Sequence, residues 1–166
     1  MSAANATKRK QSSGATGPGG RQVGQLSTFH VGSYLFGVDV ALVQEVVRLQ
    51  QITPVPLAPD CVRGLINLRG EVLTAIDLRI RLGLPPSQTS KDPVNVVVKV
   101  EDEPVSLLVD EIAGVLEVSQ VPFESTPTTV DETVRALLEG AYTLPDRLLL
   151  ELNAARVLDI NADHRA

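Results

Sequence analysis

The sequence has few of the side chains from which redox, metal and catalytic sites are built. Cys61 is the only cysteine, and the two histidines, His30 and His164, stand far apart. One thiol excludes a disulfide framework and a cysteine zinc site, and it is typical of a protein in a reducing compartment. Neither histidine has an acid or a second ligand at the spacing that such sites need. These absences predict a protein without a metal or a cofactor.

Long apolar runs and enzyme motifs are also missing. No stretch approaches the roughly 18 apolar residues of a transmembrane helix, and the start lacks the apolar core of a signal peptide. No phosphate loop, GxSxG or HExxH element occurs. Asp39, Asp77 and Asp110 follow predicted strands, where capping explains them better than acid–base chemistry. The sequence predicts a cytoplasmic protein that is not an enzyme.

Aromatic side chains and basic charge are scarce in the body of the chain. It has three Phe, two Tyr and no Trp, whereas hydrophobic residues make up 43% of 166 positions. The aliphatic majority favours strands packed by Val, Leu and Ile. Four of the 15 Lys and Arg precede position 25, so the rest has 11 basic and 20 acidic side chains, a net charge of −9. An acidic body without aromatic platforms argues against a nucleic-acid partner.

An apolar hairpin pattern, by contrast, is present and occurs twice. Residues 64–82 predict two strands around the turn Arg69-Gly70, followed by a short helix with Asp77 at its N-cap. Residues 140–158 repeat this pattern 76 positions later, with Asn153 at the cap. An upstream echo, 71 to 72 positions apart, relates residues 35–46 to residues 106–118. The repeat predicts two similar small β-barrels in one chain.

Other elements are predicted around this repeat. Gly32-Ser33 marks a hairpin between residues 26–31 and 34–39, and residues 94–100 pair with 105–109 in another. The apolar spacing of residues 40–47 predicts a helix, with Glu45 beside its apolar stripe.

Segments without periodicity divide the chain. Residues 1–24 predict a disordered basic tail, residues 25–160 the folded domain, residues 85–93 a linker between the repeats, and residues 161–166 a frayed end. Lys8, Arg9 and Lys10 in the tail suit either simple solvation or contact with anionic lipid or acidic protein. Residues 52–59 contain three prolines and must be extended, either as a cover over the core or as a docking edge. Residues 123–132 predict a loop, and residues 133–138 a helical turn.

With these residues laid out, the chain resembles the CheW family of chemotaxis coupling proteins. The resemblance covers residues 25–160. The motifs that carry it are Phe36-Gly-Val-Asp39, Val43-Gln-Glu-Val46, Ile52-Thr-Pro-Val-Pro56, Gly64-Leu-Ile-Asn-Leu-Arg-Gly70, Ile76-Asp-Leu-Arg79, Leu108-Val-Asp110 and Leu148-Leu-Leu150.

The resemblance implies a fold and a function. The fold is mainly β, two five-stranded SH3-like barrels with short helices and a shared apolar core. The function is a non-enzymatic adaptor that links the cytoplasmic tips of chemoreceptors to the regulatory domain of a CheA-type histidine kinase. Such an adaptor is cytoplasmic and is recruited to chemoreceptor arrays, without inserting into the membrane.

Two binding surfaces follow from the same resemblance. The implied receptor-binding residues are Val43, Glu45, Gly64, Arg69 and Val115. The implied kinase-binding residues are Ile52, Pro54, Val55, Pro56, Glu124, Thr128 and Thr129. Around the second kinase-facing loop the sequence departs from the family, because Ser, Thr and one Pro replace a proline-rich or Arg-bearing segment. From the residues alone, Arg69 is either a contact residue or an ordinary solvated turn residue.

Two other functions compete with the adaptor. The first is an SH3-like or OB-like barrel that binds nucleic acid, or another protein ligand outside chemotaxis, and the −9 body argues against nucleic acid. The second is a barrel that binds a small molecule, which is disfavoured because aliphatic hairpins fill small barrels with their own side chains.

Overall fold

The computed structural model describes residues 23–48, 50–87 and 92–161. Most of the predicted tail therefore lies outside the described residues, as do residues 88–91 of the linker and 162–166 of the C-terminus. The last two tail residues are described. Val23 packs on a cluster that includes Leu26 and Val118, and the carbonyl of Gly24 accepts a hydrogen bond from the Val118 amide at 2.8 Å.

The elements follow the order hairpin, crossover strand, hairpin and short helix in each half. The first half contains β1 (Gln25–Val31), β2 (Tyr34–Asp39), β3 (Val43–Val47), β4 (Val62–Leu68), β5 (Glu71–Asp77) and α1 (Leu78–Arg81). The second half contains β6 (Val94–Val100), β7 (Glu103–Val109), β8 (Glu111–Glu117), β9 (Phe123–Glu124), α2 (Glu132–Arg135), β10 (Leu138–Thr143), β11 (Leu148–Leu152) and α3 (Ala154–Leu158). The four predicted hairpins are confirmed as β1–β2, β4–β5, β6–β7 and β10–β11.

The strands form two sheets that exchange hairpins between the halves. One sheet has the order β8-β1-β2-β11-β10-β9 and the other β3-β6-β7-β5-β4. In each, the first hairpin of one half joins the second hairpin of the other through a parallel pair, β2 with β11 and β5 with β7. Each half thus completes its sheet only with strands of the other half.

One apolar cluster connects the two sheets. It contains Phe29 and Leu150 from one sheet and Ile76, Val98 and Leu107 from the other, each at most 2% exposed. The predicted mainly β fold with a repeated unit and a shared aliphatic core is confirmed. Five strands are found in the second sheet, and the two-residue β9 gives the first a sixth.

The predicted helix over residues 40–47 is wrong. A short 3₁₀ turn covers Val40–Leu42, and the rest is β3, which pairs with β6. Valine is stiff at χ1 and favours strands, so the Val-rich spacing lost to pairing with a distant strand. Similarly, the predicted loop over residues 123–132 contains β9 at its start, and its last residue begins α2.

The repeat offset of 76 is confirmed over the second hairpin of each half. The Asp77 amide donates to the carbonyl of Cys61 at 2.7 Å, and the Asn153 amide donates to that of Leu137 at 2.8 Å. Both residues cap the helix that follows, since their side chains accept backbone N–H groups of α1 and α3.

The upstream offset is different from the one predicted. Glu45 pairs with Val97 on β6, and Gly114 pairs with Thr28 on β1, so the two halves correspond at an offset of 69. The structural counterpart of Glu45 is therefore Gly114, and not Glu117. The sequence match failed because short apolar segments match at more than one offset. The error is two residues at Asp39, which was matched with Asp110, and three residues at Glu45, so only the strand pairing fixes the correspondence.

Candidate functional site

The turn Arg69-Gly70 holds the most exposed cation of the predicted site. Both residues have positive φ, +54° and +88°, as a two-residue type I′ turn requires. Asn67 supports the turn, because its Oδ1 accepts the Gly70 amide at 2.9 Å. The side chain of Arg69 is therefore displayed on a short, hydrogen-bonded tip.

Arg69 forms a two-pronged ion pair with Glu45. Its Nη1 lies 2.9 Å from Oε2 and its Nη2 lies 2.9 Å from Oε1 of the carboxylate. Glu45 is on β3 and Arg69 follows β4, the two outer strands of the five-stranded sheet, so the pair joins strands that do not hydrogen-bond to each other. The arginine side chain is 74% exposed and that of the glutamate 20%. The predicted pairing of these two residues is confirmed.

The other predicted receptor residues are placed differently. Val43 is half-buried and packs on the main core, and Gly64 is buried on β4. A Cβ atom on Gly64 would lie 2.2 Å from the carbonyl oxygen of Thr53. Gly64 thus lets the segment before it close onto β4, instead of lining an open groove.

Val115 lies on the other sheet, on the outer strand β8, and is 55% exposed. Its counterpart in the repeat is Val46, which is 43% exposed on β3. Sequence reasoning chose Val43 and missed Val46. Only the strand assignment of β3 shows that Val43 faces inward while Val46 faces out.

The first strap, which is residues 52–57, contains the predicted kinase segment at residues 52–56 and has a structural base and an exposed tip. Thr53 and Leu65 exchange both backbone hydrogen bonds at 2.8 Å, and Ile52 packs on a cluster under β4 and β5. Pro54, Val55 and Pro56 are exposed. The base of the segment therefore covers the cluster under β4 and β5, as one of the two alternatives predicted. The other alternative, a docking edge at the exposed tip, stays a prediction.

The second predicted kinase segment, residues 123–129 or the second strap, is the counterpart of the first. In the first strap Thr53 pairs with Leu65, and in the second strap Glu124 pairs with Ala141. Ala141 is the residue that corresponds to Leu65 at the repeat offset of 76. Phe123 is half-buried, with its ring 4.7 Å from that of Tyr142. Glu124, Thr128 and Thr129 are exposed, so this tip is polar.

A crevice of about 600 Å³ lies between the repeats. Four of its charged lining side chains are paired, because Arg63 contacts Asp77 at 3.0 Å and Arg79 forms an ion pair with Asp110. His30 lies at the same crevice. In the ranges 23–48, 50–87 and 92–161, no three His, Cys, Asp or Glu side chains are grouped as a metal site would need. No helix among these residues is long and apolar enough to span a membrane.

Comparison with known proteins agrees with the fold. Residues 25–162 match the family model described as CheW-like domain. The chemotaxis protein CheW of Rhizobium meliloti (strain 1021) is 35% identical over 138 residues, covering 82% of this chain and 87% of that protein. That of Bacillus subtilis (strain 168) is 30% identical over 142 residues, covering 86% and 91%.

A solved structure shows the same fold. The crystal structure of the scaffolding protein TtCheW from Thermoanaerobacter tengcongensis matches with a TM-score of 0.75 and 28% identity, covering 84% of this chain and 95% of that one. The family model and the relatives each span most of the chain. The chain therefore belongs to the CheW-like family of non-enzymatic adaptor proteins of chemotaxis.

Proposed function

We propose that this chain couples the cytoplasmic tips of chemoreceptors to the regulatory domain of a CheA-type histidine kinase, at the chemoreceptor array in the cytoplasm. The observation that carries the proposal is the exposed, two-pronged Arg69–Glu45 pair at the edge of the five-stranded sheet. The family supplies the adaptor role, and the pair supplies a surface with a defined geometry for one of the two partners.

The exposure of the pair favours a binding role over a structural one. An exposed ion pair contributes at most about 1 kcal/mol to the free energy of unfolding. An arginine has five N–H donors, so a guanidinium held by one carboxylate still offers donors to a second acceptor. Glu45 fixes the plane of the Arg69 guanidinium, which then meets a receptor carboxylate or carbonyl without losing much side-chain entropy.

Around this pair the receptor surface is proposed to include Val43, Gly64 and Val115. The half-buried and buried positions of Val43 and Gly64 support an indirect part for both. Val43 anchors β3 beneath Glu45, and Gly64 seats the first strap. Val46 and Val115 supply exposed apolar area on the two outer strands β3 and β8.

The two straps are proposed as the kinase-facing edges. Ile52 and Thr53 hold the first strap on β4, so its exposed Pro54, Val55 and Pro56 are presented on a fixed base. Prolines lose little conformational entropy on docking, which suits a long-lived contact. Glu124, Thr128 and Thr129 form the second edge, which is polar.

The receptor proposal is tested by reversing the charges of the pair. Arg69→Glu places two carboxylates together and removes the donors, so we expect receptor binding to fall by about 10- to 100-fold, measured by co-sedimentation with receptor in nanodiscs. Glu45→Arg in the same chain should restore part of the loss. Arg147→Glu, beside the equivalent turn of the second half, is the matched control and should bind normally. Full-strength binding by Arg69→Glu would refute the receptor surface, and a double variant no better than the single one would refute the pairing.

The kinase proposal is tested separately at Val55. Val55→Asp puts a charge on the apolar tip and should weaken binding to the kinase regulatory domain, measured by calorimetry, while receptor binding and the melting temperature stay unchanged. An equal loss of both partners together with a lower melting temperature would show that the tip is structural.

The alternative function, a barrel that binds nucleic acid or another protein ligand outside chemotaxis, has weaker support. The relatives named above are all chemotaxis or scaffolding proteins, and the exposed surface built around Arg69 contains one cation held by a carboxylate. A salt-dependent shift of a nucleic-acid probe at micromolar protein would favour the alternative.

A further inference from the structure

Leu57, at the end of the first strap, has a backbone conformation that leucine rarely adopts. Its φ is +64°, in the left-handed region, and its side chain is fully exposed to solvent. The amide of Ala58 donates to the carbonyl of Val55 at 3.4 Å, which closes a turn with Pro56 second and Leu57 third. A positive φ at the third position of such a turn is typical of Gly or Asn.

Leu57 therefore carries two energetic costs, a strained backbone and an exposed apolar side chain. A left-handed backbone is strained for any side chain with a Cβ, and for a large apolar residue at φ > 0 it is a genuine outlier. A fully exposed leucine gains nothing from the core and leaves its apolar surface in water. Strain and exposure together at one position point to a function outside the folded chain.

The second strap shows what the same position looks like without this leucine. Thr53 pairs with Leu65, and Glu124 pairs with the equivalent residue Ala141, so Thr53 and Glu124 are equivalent. The counterpart of Leu57, four residues further on, is therefore Thr128, and the exposed residues around it are Ser and Thr. The φ of Thr128 is not positive. The second strap thus forms without an exposed apolar residue in a left-handed conformation, whereas the first strap has such a residue.

Resting on the proposed adaptor function, we infer that Leu57 is the anchor of the first strap and inserts into an apolar socket on the kinase regulatory domain. The first strap and the residues beside it, positions 51–59, contain no charged residue, so the matching surface on the partner is apolar and uncharged. A buried apolar anchor surrounded by less critical contacts is the usual energetic centre of a protein interface.

A second copy of this chain fits less well than the kinase. Head-to-tail docking of the first strap on the second would set Leu57 against exposed Glu124, Ser125, Thr128 and Thr129, which offer no apolar socket. Docking of two first straps would use only the five exposed residues at positions 53–57 on each side, far fewer than the roughly 20 residues per partner of a stable interface.

The test uses the full chain with Leu57→Asn and Leu57→Met. Asn tolerates the left-handed backbone, so Leu57→Asn should raise the melting temperature by about 2–4 °C. The same variant should weaken binding to the purified kinase regulatory domain by about 10- to 100-fold, the loss expected when a leucine no longer enters an apolar pocket. Leu57→Met keeps an apolar side chain and should bind within a few-fold of the unaltered chain. Ile80→Asn, which removes an exposed apolar residue on α1, is the matched control and should bind normally.

Each of the other possible outcomes would reject a specific part of the proposal. If the unaltered chain binds the kinase domain and Leu57→Asn binds as tightly, the anchor is wrong and the adaptor function stands. If the unaltered chain shows no kinase binding, the proposed function fails and the anchor with it. If Leu57→Asn leaves kinase binding intact but abolishes self-association in ultracentrifugation, or binding to anionic lipid vesicles, the occupant is a second copy or a membrane, and the kinase socket is wrong.

Discussion

The two halves of the molecule share their internal contacts and differ on their surfaces. Both have a β-bulge in the first strand of the second hairpin, between Val62 and Gly64 in β4 and between Leu138 and Gly140 in β10. Both also have a capped short helix and a strap that closes on a glycine. In the first half, Glu45 and Arg69 close the outer strands with an ion pair. At the equivalent places the second half has Gly114 and Pro145, so neither partner of the pair is present there.

At the bulge, both halves have a contact to the helix-cap residue, but different side chains form it. In the first half the bulged residue is Arg63, which contacts the cap residue Asp77 at 3.0 Å. In the second half it is Glu139, which accepts a hydrogen bond from the cap residue Asn153 at 3.0 Å. The contact is kept while its chemistry changes, which indicates that the fold requires the contact. The pair at Glu45 and Arg69 and the apolar tip at Leu57 occur once, which is what separate binding surfaces for separate partners would produce.

The largest effect is expected at the glycines under the straps. Gly64→Ala would bring Cβ to 2.2 Å from the Thr53 carbonyl oxygen at a φ of +146°, and should lower the free energy of unfolding by about 3 kcal/mol or more. Gly140→Ala would meet Phe123 at 2.5 Å and the Glu124 carbonyl oxygen at 2.8 Å, and should cost about 2 kcal/mol.

Urea denaturation measures both glycine substitutions, with Gly70→Ala as the control. Gly70 has no atom within 4 Å of an added Cβ, so its cost is limited to the positive φ. If Gly70→Ala were as destabilising as Gly64→Ala, the close approach of the straps would not be what both glycines provide.

The next effect is expected at the helix caps. Asp77→Ala and Asn153→Ala each remove a side chain that accepts helix N–H groups, and each should cost about 1 kcal/mol in denaturant unfolding. Asp77→Asn keeps the cap and loses only the exposed ion pair with Arg63, so it should cost a few tenths of that amount. A large loss from one cap and none from the other would break the equivalence of the two halves.

A comparable or smaller effect should follow from making the first half more like the second at one buried position. Thr28 on β1 is buried and donates from Oγ1 to the carbonyl of Gly114 at 2.7 Å, whereas the corresponding residue of the second half, on β6, is Val97. Thr28→Val keeps the shape and should cost about 1 kcal/mol through the lost hydrogen bond. Thermal unfolding is the measurement. An unchanged melting temperature would mean that water replaces the hydroxyl as the donor to the Gly114 carbonyl.

The smallest stability effect is expected at Arg69. Arg69→Ala should cost less than about 1 kcal/mol in urea unfolding, because the guanidinium is 74% exposed. The same variant should lose receptor binding, which separates the surface of the first half from its fold. A loss of stability above about 2 kcal/mol would mean that the pair holds the sheet edge closed.

The sequence by itself determined the features that depend on neighbouring residues. Turn residues marked the four hairpins, Asp77 and Asn153 marked the caps, and a constant spacing of 76 related the second hairpins. The pairing of Glu45 with Arg69 followed from the resemblance and from opposite charge. These signals are local because a turn or a cap is formed by residues three or four positions apart.

Only the tertiary structure decided the features that depend on distant strands. Residues 40–47 had a helical spacing, yet β6, about 50 positions away, pairs with Val43–Val47 and makes it a strand. The same pairing set the upstream offset at 69, whereas matching short apolar segments in the sequence gave 71 to 72. Gly64 is buried because Thr53 closes on it, whereas Leu57 lies in the turn of residues 55–58, is fully exposed and belongs to none of the core clusters. Burial is a property of the assembled sheets, and no local pattern encodes it.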